Sequence, residues 1–252
     1  MLGSFPRKAV VQPHAAILAQ LREKLSRLEG TQRRSAHTAP ICDIIDEALP
    51  YGGLPLGCIH EISGTGLASA IAFASLLSHR IPQTGPVLYV APNRSFYPLG
   101  LLPSGVKFEQ WIHVSARRSI DLTWTVLEAI RCSQVKAVLA VMTSANLTFC
   151  RRLQLAAESS GATGFLIHQA AAPSSIASAI TRWQVSPVKG PAGRGLGEAF
   201  WKLELLYCRG GRPGKWMVTW RNNMLEPLGA LSEVPARPVQ RITLAQGTAL
   251  AG

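Results

Sequence analysis

Between residues 58 and 183, short, mostly apolar runs alternate with longer segments whose apolar positions recur every three or four residues. The short runs, 58–63, 86–91, 111–115, 135–142 and 163–168, lack the in/out alternation of a half-solvated sheet. They predict strands covered on both faces, which is the pattern of a parallel sheet. The longer segments, 67–80, 119–132, 147–160 and 173–183, predict the helices that cover it. Ser119 is the expected N-cap of the second helix, with Asp121 in its first turn, and Gly161 is the expected stop of the third. The fold class is therefore α/β, a mostly parallel sheet with helices on both faces.

Outside that block the pattern changes. After a Gly/Pro-rich loop at 187–197, residues 199–209 and 215–221 read as extended, with Gly210-Gly211-Arg212-Pro213-Gly214 between them. Such spacing predicts a C-terminal β-hairpin. Residues 222–252 carry no period and are expected to be a loose tail. Upstream, residues 14–29 place Ile17, Leu18, Leu21, Leu25 and Leu28 at helical spacing among charged residues, which predicts an amphipathic helix. Gly30 and the polar run 31–40 end it. This gives an N-terminal segment and linker at 1–40, a core at 41–221 and a tail at 222–252. Leu18, Leu21, Leu25 and Leu28 lie across a polar linker from the core, so they are candidates for docking on a partner as well as on the chain itself.

Charge adds direction. The formal net charge is +12 and the isoelectric point about 10.1. Residues 1–37 carry seven lysines and arginines against Glu23 and Glu29, whereas residues 38–188 are nearly balanced, ten against eight. The last segment, 189–252, again carries nine against four. Basic ends attract nucleic acid or an acidic protein partner. Arg209, Arg212, Lys215 and Arg221 fall together in the hairpin without an acid among them, and are the candidates for that contact. Trp216 and Trp220, four apart on one strand, share a face, for stacking on a base or for the core.

Several classes of chemistry are excluded. The five cysteines form no CxxC pair and the six histidines no HxxxH or HExxH, so no metal site is expected. No apolar stretch reaches the roughly 20 residues of a membrane span, and no signal sequence is read at the start, so a cytoplasmic protein with reduced thiols is expected.

The stretch Gly52-Gly53-Leu54-Pro55-Leu56-Gly57-Cys58-Ile59-His60-Glu61-Ile62-Ser63-Gly64 resembles the opening of the RecA ATPase core, where a similar run leads into the phosphate loop. The likeness continues in order to about residue 221. The chain looks like the ImuA proteins of bacterial mutagenesis cassettes, with the cell-division inhibitor SulA as a shorter cousin. A phosphate loop of the form GxxxxGK[ST] needs glycines, a lysine for the phosphates and a hydroxyl for Mg²⁺. Counted from Gly64, through Gly66, these places hold Ser69, Ala70 and Ile71. The resemblance also places a catalytic Glu at Pro92 and a Walker B Asp at Met142. With all of these replaced, no catalytic residue, nucleotide cofactor or metal is expected. Gly64 and Gly66 could still hold an anion at a helix N-terminus, although a tight strand-to-helix turn is the simpler reading. Gln169, matching a γ-phosphate sensor, reads as a strand-end residue.

The resemblance implies a non-catalytic adaptor in SOS-induced, error-prone translesion synthesis. Its partners would be an ImuB-like Y-family polymerase relative, RecA and an error-prone replicative-type polymerase, with DNA as a further contact. The alternatives are a SulA-like inhibitor of cell division and a nucleotide-dependent DNA-binding ATPase.

Overall fold

Apolar strands with no polar side must be sandwiched, and the computed structural model shows how this chain does it. It describes residues 38–93, 109–143, 145–169, 178–190, 199–221 and 224–228. In chain order these form β1 (Thr38–Ala39), α1 (Asp43–Asp46), β2 (Leu54–Pro55), β3 (Ile59–Gly64), α2 (Leu67–Arg80), β4 (Val87–Ala91), β5 (Trp111–Ser115), α3 (Ser119–Arg131), β6 (Ala137–Val141), α4 (Leu147–Ser160), β7 (Thr163–Gln169), β8 (Thr181–Pro187), β9 (Ala199–Cys208), β10 (Gly214–Arg221) and β11 (Met224–Pro227). Nine strands make one sheet in the order β11-β10-β9-β8-β3-β7-β6-β4-β5, and β1 and β2 form a separate two-stranded ribbon. From β8 to β5 every pairing is parallel, and β9, β10 and β11 continue as an antiparallel meander. The expected α/β, RecA-like class, with its C-terminal hairpin, is the observed one.

One face of the sheet is covered by α2. Ile62, Leu139, Phe165, Ile167, Trp183 and Val185 join Ile71, Phe73, Leu76 and Leu77 in one core. Phe73 is wedged edge-on against Trp183 and Trp201, with ring centroids 5.6 and 6.3 Å away. The helix is rich in Ala and Ser, so it can lie close to the strands. The buried hydroxyls of Ser75 and Ser78 are satisfied by the carbonyls of Ile71 and Ser75. The opposite face carries α3 and α4, whose Leu122, Val126, Ile130, Cys150 and Leu153 pack with Val90, Val138, Ala140 and Leu166.

Helix ends follow local chemistry. The Asn146 side chain accepts from the Phe149 N–H at 2.8 Å and caps α4. Gly161 ends that helix with φ +83°, in the left-handed region that favours glycine. Ser119 is not the cap of α3. The Leu122 N–H reaches the Arg118 carbonyl at 3.0 Å, so Arg118 stands at the cap position and Ser119 is already helical. Asp121 lies in the first turn as expected.

Two further expectations are corrected. Residues 181–183, read as the end of a helix over 173–183, open the strand β8, which pairs with β3 on one side and β9 on the other. Residues 173–177 lie outside the described residues. The seven residues of β8 alternate, with Thr181, Trp183 and Val185 buried and Arg182, Gln184 and Ser186 half-buried. That is the period of a strand, hidden in the sequence because the small residues before it set a helical frame. Within the segment read as a loose tail, Met224–Pro227 pairs with β10 from Arg221↔Met224 to Val218↔Pro227. Leu225 supplies its anchor, 2 % exposed in the core.

Candidate functional site

The residues expected to mark a lost nucleotide site meet at the C-terminal edge of the parallel strands. Only Thr65 and Gly66 separate β3 from α2. The Thr65 N–H donates to the Val185 carbonyl at 3.2 Å, which ties the turn to β8. Gly66 takes the cap position in an extended conformation, without a side-chain cap. A methyl group placed on Gly64 would sit 2.5 Å from the Gly66 carbonyl oxygen and 3.0 Å from the Ala70 Cβ. The turn therefore folds back on its own strand, and Ala70 fills the space beneath it. Ala70 is fully buried and Ile71 is 5 % exposed among the residues under α2. Ser69 and Pro92 are half-buried. Met142 is buried on the α3/α4 face, where its N–H donates to the Ile167 carbonyl at 2.9 Å. Gln169 ends β7 in an exposed position.

On the α4 side of β3 lies a cluster that the sequence reading missed. Glu61 sits in the middle of β3 with its side chain 1 % exposed. Its Oε1 is 2.7 Å from His168 Nε2, and its Oε2 accepts from Arg182 Nε at 2.8 Å. In register, Glu61 lies beside Leu166 of β7 and Arg182 of β8, so both partners come from the strands flanking β3. The Arg182 guanidinium also lies over the Tyr207 ring, 5.9 Å from its centroid. Burial, reinforced by the negative charge of Glu61, raises the neighbouring Cys150 thiol to about 11, so it stays protonated. A carboxylate in the middle of an apolar strand is stable only if it is paired. That isolated charge at Glu61 was the signal available in the sequence. Its partners were not visible there, because 107 and 121 residues separate them from it.

A second polar network lies on the α2 side. His60 stacks on Phe165 with centroids 5.4 Å apart. Its Nε2 is 2.9 Å from the Pro55 carbonyl and its Nδ1 is 2.7 Å from the Thr181 hydroxyl. A carbonyl can only accept, so Nε2 carries the proton and Nδ1 takes the bond from Thr181. Thr181 in turn accepts from Trp183 Nε1 at 2.9 Å. Full burial lowers His60 to about 4 and keeps it neutral. Both networks cross-link strands, and neither offers an exposed nucleophile. Among the described residues no group of three or more His, Cys, Asp or Glu could hold a metal.

The hairpin separates the remaining candidates. Trp220 is buried, under the Arg80 guanidinium at 5.7 Å, and Trp216 packs half-buried on the same core, 6.2 Å from Trp183. The tryptophans therefore belong to the core. Glu204 accepts from Lys202 on its own strand at 2.7 Å and from Lys215 across the hairpin at 2.9 Å, and these bonds lower its carboxyl below the usual range. Arg221 lies 3.8 Å from Glu226 on β11. Arg212 is exposed and Arg209 half-buried, and their N–H groups donate to the Ala48 and Ile180 carbonyls, both at 2.8 Å. The run without acids in sequence is interleaved with acids in space. Leu18, Leu21, Leu25 and Leu28 lie outside the described residues.

No family model matches the chain. Over 193 residues it is 34 % identical to Protein ImuA of Caulobacter vibrioides, in each of two strains, covering 69 % of this chain and 79 % of that protein. The chain belongs to the ImuA family. The strand-to-helix turn and the Glu61 and His60 networks are thus features of an ImuA-family core. Among the described residues of this family member, no helix is long and apolar enough to cross a membrane.

Proposed function

We propose that this chain is a non-catalytic accessory protein of error-prone translesion DNA synthesis in the SOS response, acting in the ImuA/ImuB mutagenesis system. Its membership of the ImuA family carries this reading. In it, the chain binds an ImuB-like Y-family polymerase relative, with RecA, an error-prone replicative-type polymerase and DNA as further contacts in the cytoplasm. The turn after β3 supports the absence of catalysis. Phosphate binding at such a place needs a lysine reaching outward and an oxygen ligand for Mg²⁺. Here the matching side chains, Ala70 and Ile71, point into the core. The N-terminal segment, residues 1–40, is proposed as a docking element, and Arg209, Arg212, Lys215 and Arg221 as an auxiliary contact for DNA or an acidic partner.

Two measurements test this. Purified protein should hydrolyse no ATP, with or without single-stranded DNA. DNA-stimulated turnover that disappears on changing the 64–71 turn would overturn the pseudo-ATPase reading. The chain should also form a stable complex with the ImuB-like protein of the same genome in size-exclusion chromatography. Absence of that complex at micromolar concentrations would overturn the adaptor reading.

A further inference from the structure

Helices α3 and α4 bury one stripe each and leave another in solvent. The buried stripes are Leu122, Val126, Leu127 and Ile130 on α3, and Cys150, Leu153 and Ala157 on α4. On the outer side, Ile120 and Trp124, one turn apart, are 65 % and 66 % exposed. Leu147 and Leu155, two turns apart on α4, are 47 % and 67 % exposed. The helices pack against each other. Each returns between parallel strands, so they run side by side in one direction. An open groove of about 330 Å³ is lined by Arg131 of α3 and by Arg152, Leu155, Ala156 and Ser159 of α4. Scattered single apolar residues on a surface are normal, but large exposed ones recurring along two packed helices, with Leu155 lining the groove, mark an interaction site.

Charge around the patch identifies its partner. Arg151 and Arg152 are exposed and have no acid partner among the described residues. The nearby acids are already engaged. Asp121 lies 3.8 Å from Arg118, Glu128 accepts from Arg131 at 2.7 Å, and Glu158 accepts from the Gln154 amide at 2.8 Å. Arg118, Arg131, Arg151 and Arg152 stand against Asp121, Glu128 and Glu158, so the rim keeps a positive excess. The basic N-terminal segment of this chain, seven lysines and arginines against two acids, would meet like charge here. A second copy meeting this face with its own would set arginine against arginine. Nucleic acid would leave the large apolar side chains Ile120, Trp124, Leu147 and Leu155 without a matching apolar surface.

We propose that the α3/α4 face docks an acidic amphipathic helix of a protein partner. Its apolar side lies over Trp124 and Leu155 and its carboxylates reach Arg151 and Arg152. This is the helix-in-groove mode of recognition. The choice of partner rests on the adaptor reading above, with the ImuB-like polymerase relative as the probe.

The experiment uses the full chain in four forms: unaltered, Trp124→Ala with Leu155→Ala, Arg151→Glu with Arg152→Glu, and Met224→Ala on the far edge of the sheet as a control. All the changed side chains are exposed, so thermal unfolding should match throughout. In calorimetric titration with the ImuB-like protein, both double variants should lose about tenfold or more in affinity, the size expected for anchor residues, and the control should lose nothing. If the unaltered chain does not bind, the adaptor reading falls and this one with it. If it binds and both double variants bind equally well, the adaptor reading stands and the docking face is refuted. A change in oligomeric state of the free variants would assign the face to a second copy. Loss of affinity only for a single-stranded oligonucleotide would assign it to nucleic acid. Either outcome overturns the proposal.

Discussion

Acid should weaken this protein through His60 before it protonates most carboxylates. In the unfolded chain a histidine titrates near 6.5, and in the folded core His60 is lowered to about 4 by burial. Between those values the unfolded state holds a proton that the folded state lacks, so stability falls as pH falls through that window. The full difference corresponds to about 3 kcal/mol, at roughly 1.4 kcal/mol for each tenfold. Between pH 7.5 and pH 5.0 about 2 kcal/mol of it is lost. Asp46 works against this trend. Burial raises its carboxyl to about 6 even though both of its oxygens accept from the Ile41 N–H, so it gains stability as pH falls from 6 towards 4. The decisive quantity is therefore a difference between two proteins. His60→Gln keeps a donor for Pro55 and an acceptor for Thr181 but cannot titrate. Urea unfolding at both pH values should show the unaltered protein losing about 2 kcal/mol more than the variant on acidification. An equal loss in both would mean that His60 is not held neutral in the core.

Four other outcomes follow from the geometry. Arg182→Met removes a charged partner from the buried Glu61 carboxylate and should cost about 2–4 kcal/mol in urea unfolding. Gly64→Ala forces a methyl against the Gly66 carbonyl and Ala70, and should cost about 1–3 kcal/mol by the same assay. Ala70→Lys with Ile71→Thr restores the phosphate-loop residues in sequence. It should lower the thermal midpoint by more than 10 °C and confer no ATPase activity, because the new lysine would lie in a fully buried site. Gly161→Ala, at φ +83°, should cost about 1 kcal/mol by thermal unfolding.

Much of the core was legible because periodicity and burial agree there. Helices α2 and α4 and strand β5 begin and end where the apolar pattern places them. The failures have separate causes. In β8 the alternation of Thr181, Arg182, Trp183, Gln184 and Val185 was read in a helical frame set by the small residues before it. Ser119 looked like a cap because caps are recognised by residue type, whereas the first backbone bond, Leu122 to Arg118, decides the matter. At the candidate site, the loss of chemically competent side chains could be read residue by residue. The cross-strand ion pairs could not. Glu204 neutralises Lys215, and Arg182 neutralises Glu61, only once the strands are placed side by side.

The central position of β3 also sets a timetable for synthesis. Its neighbours in the sheet, β7 and β8, begin roughly a hundred and a hundred and twenty residues after it, at Thr163 and Thr181. At 5–20 residues per second a ribosome takes on the order of ten seconds to deliver them. Until β7 arrives an apolar strand carrying an unmatched carboxylate waits with both edges open, and its β8 edge waits longer still, so the nascent chain needs shelter while it is still attached. A message cut short before the codon for Arg182 would yield a product in which the β8 edge of this strand stays open, and such fragments should be found in aggregates and among protease products.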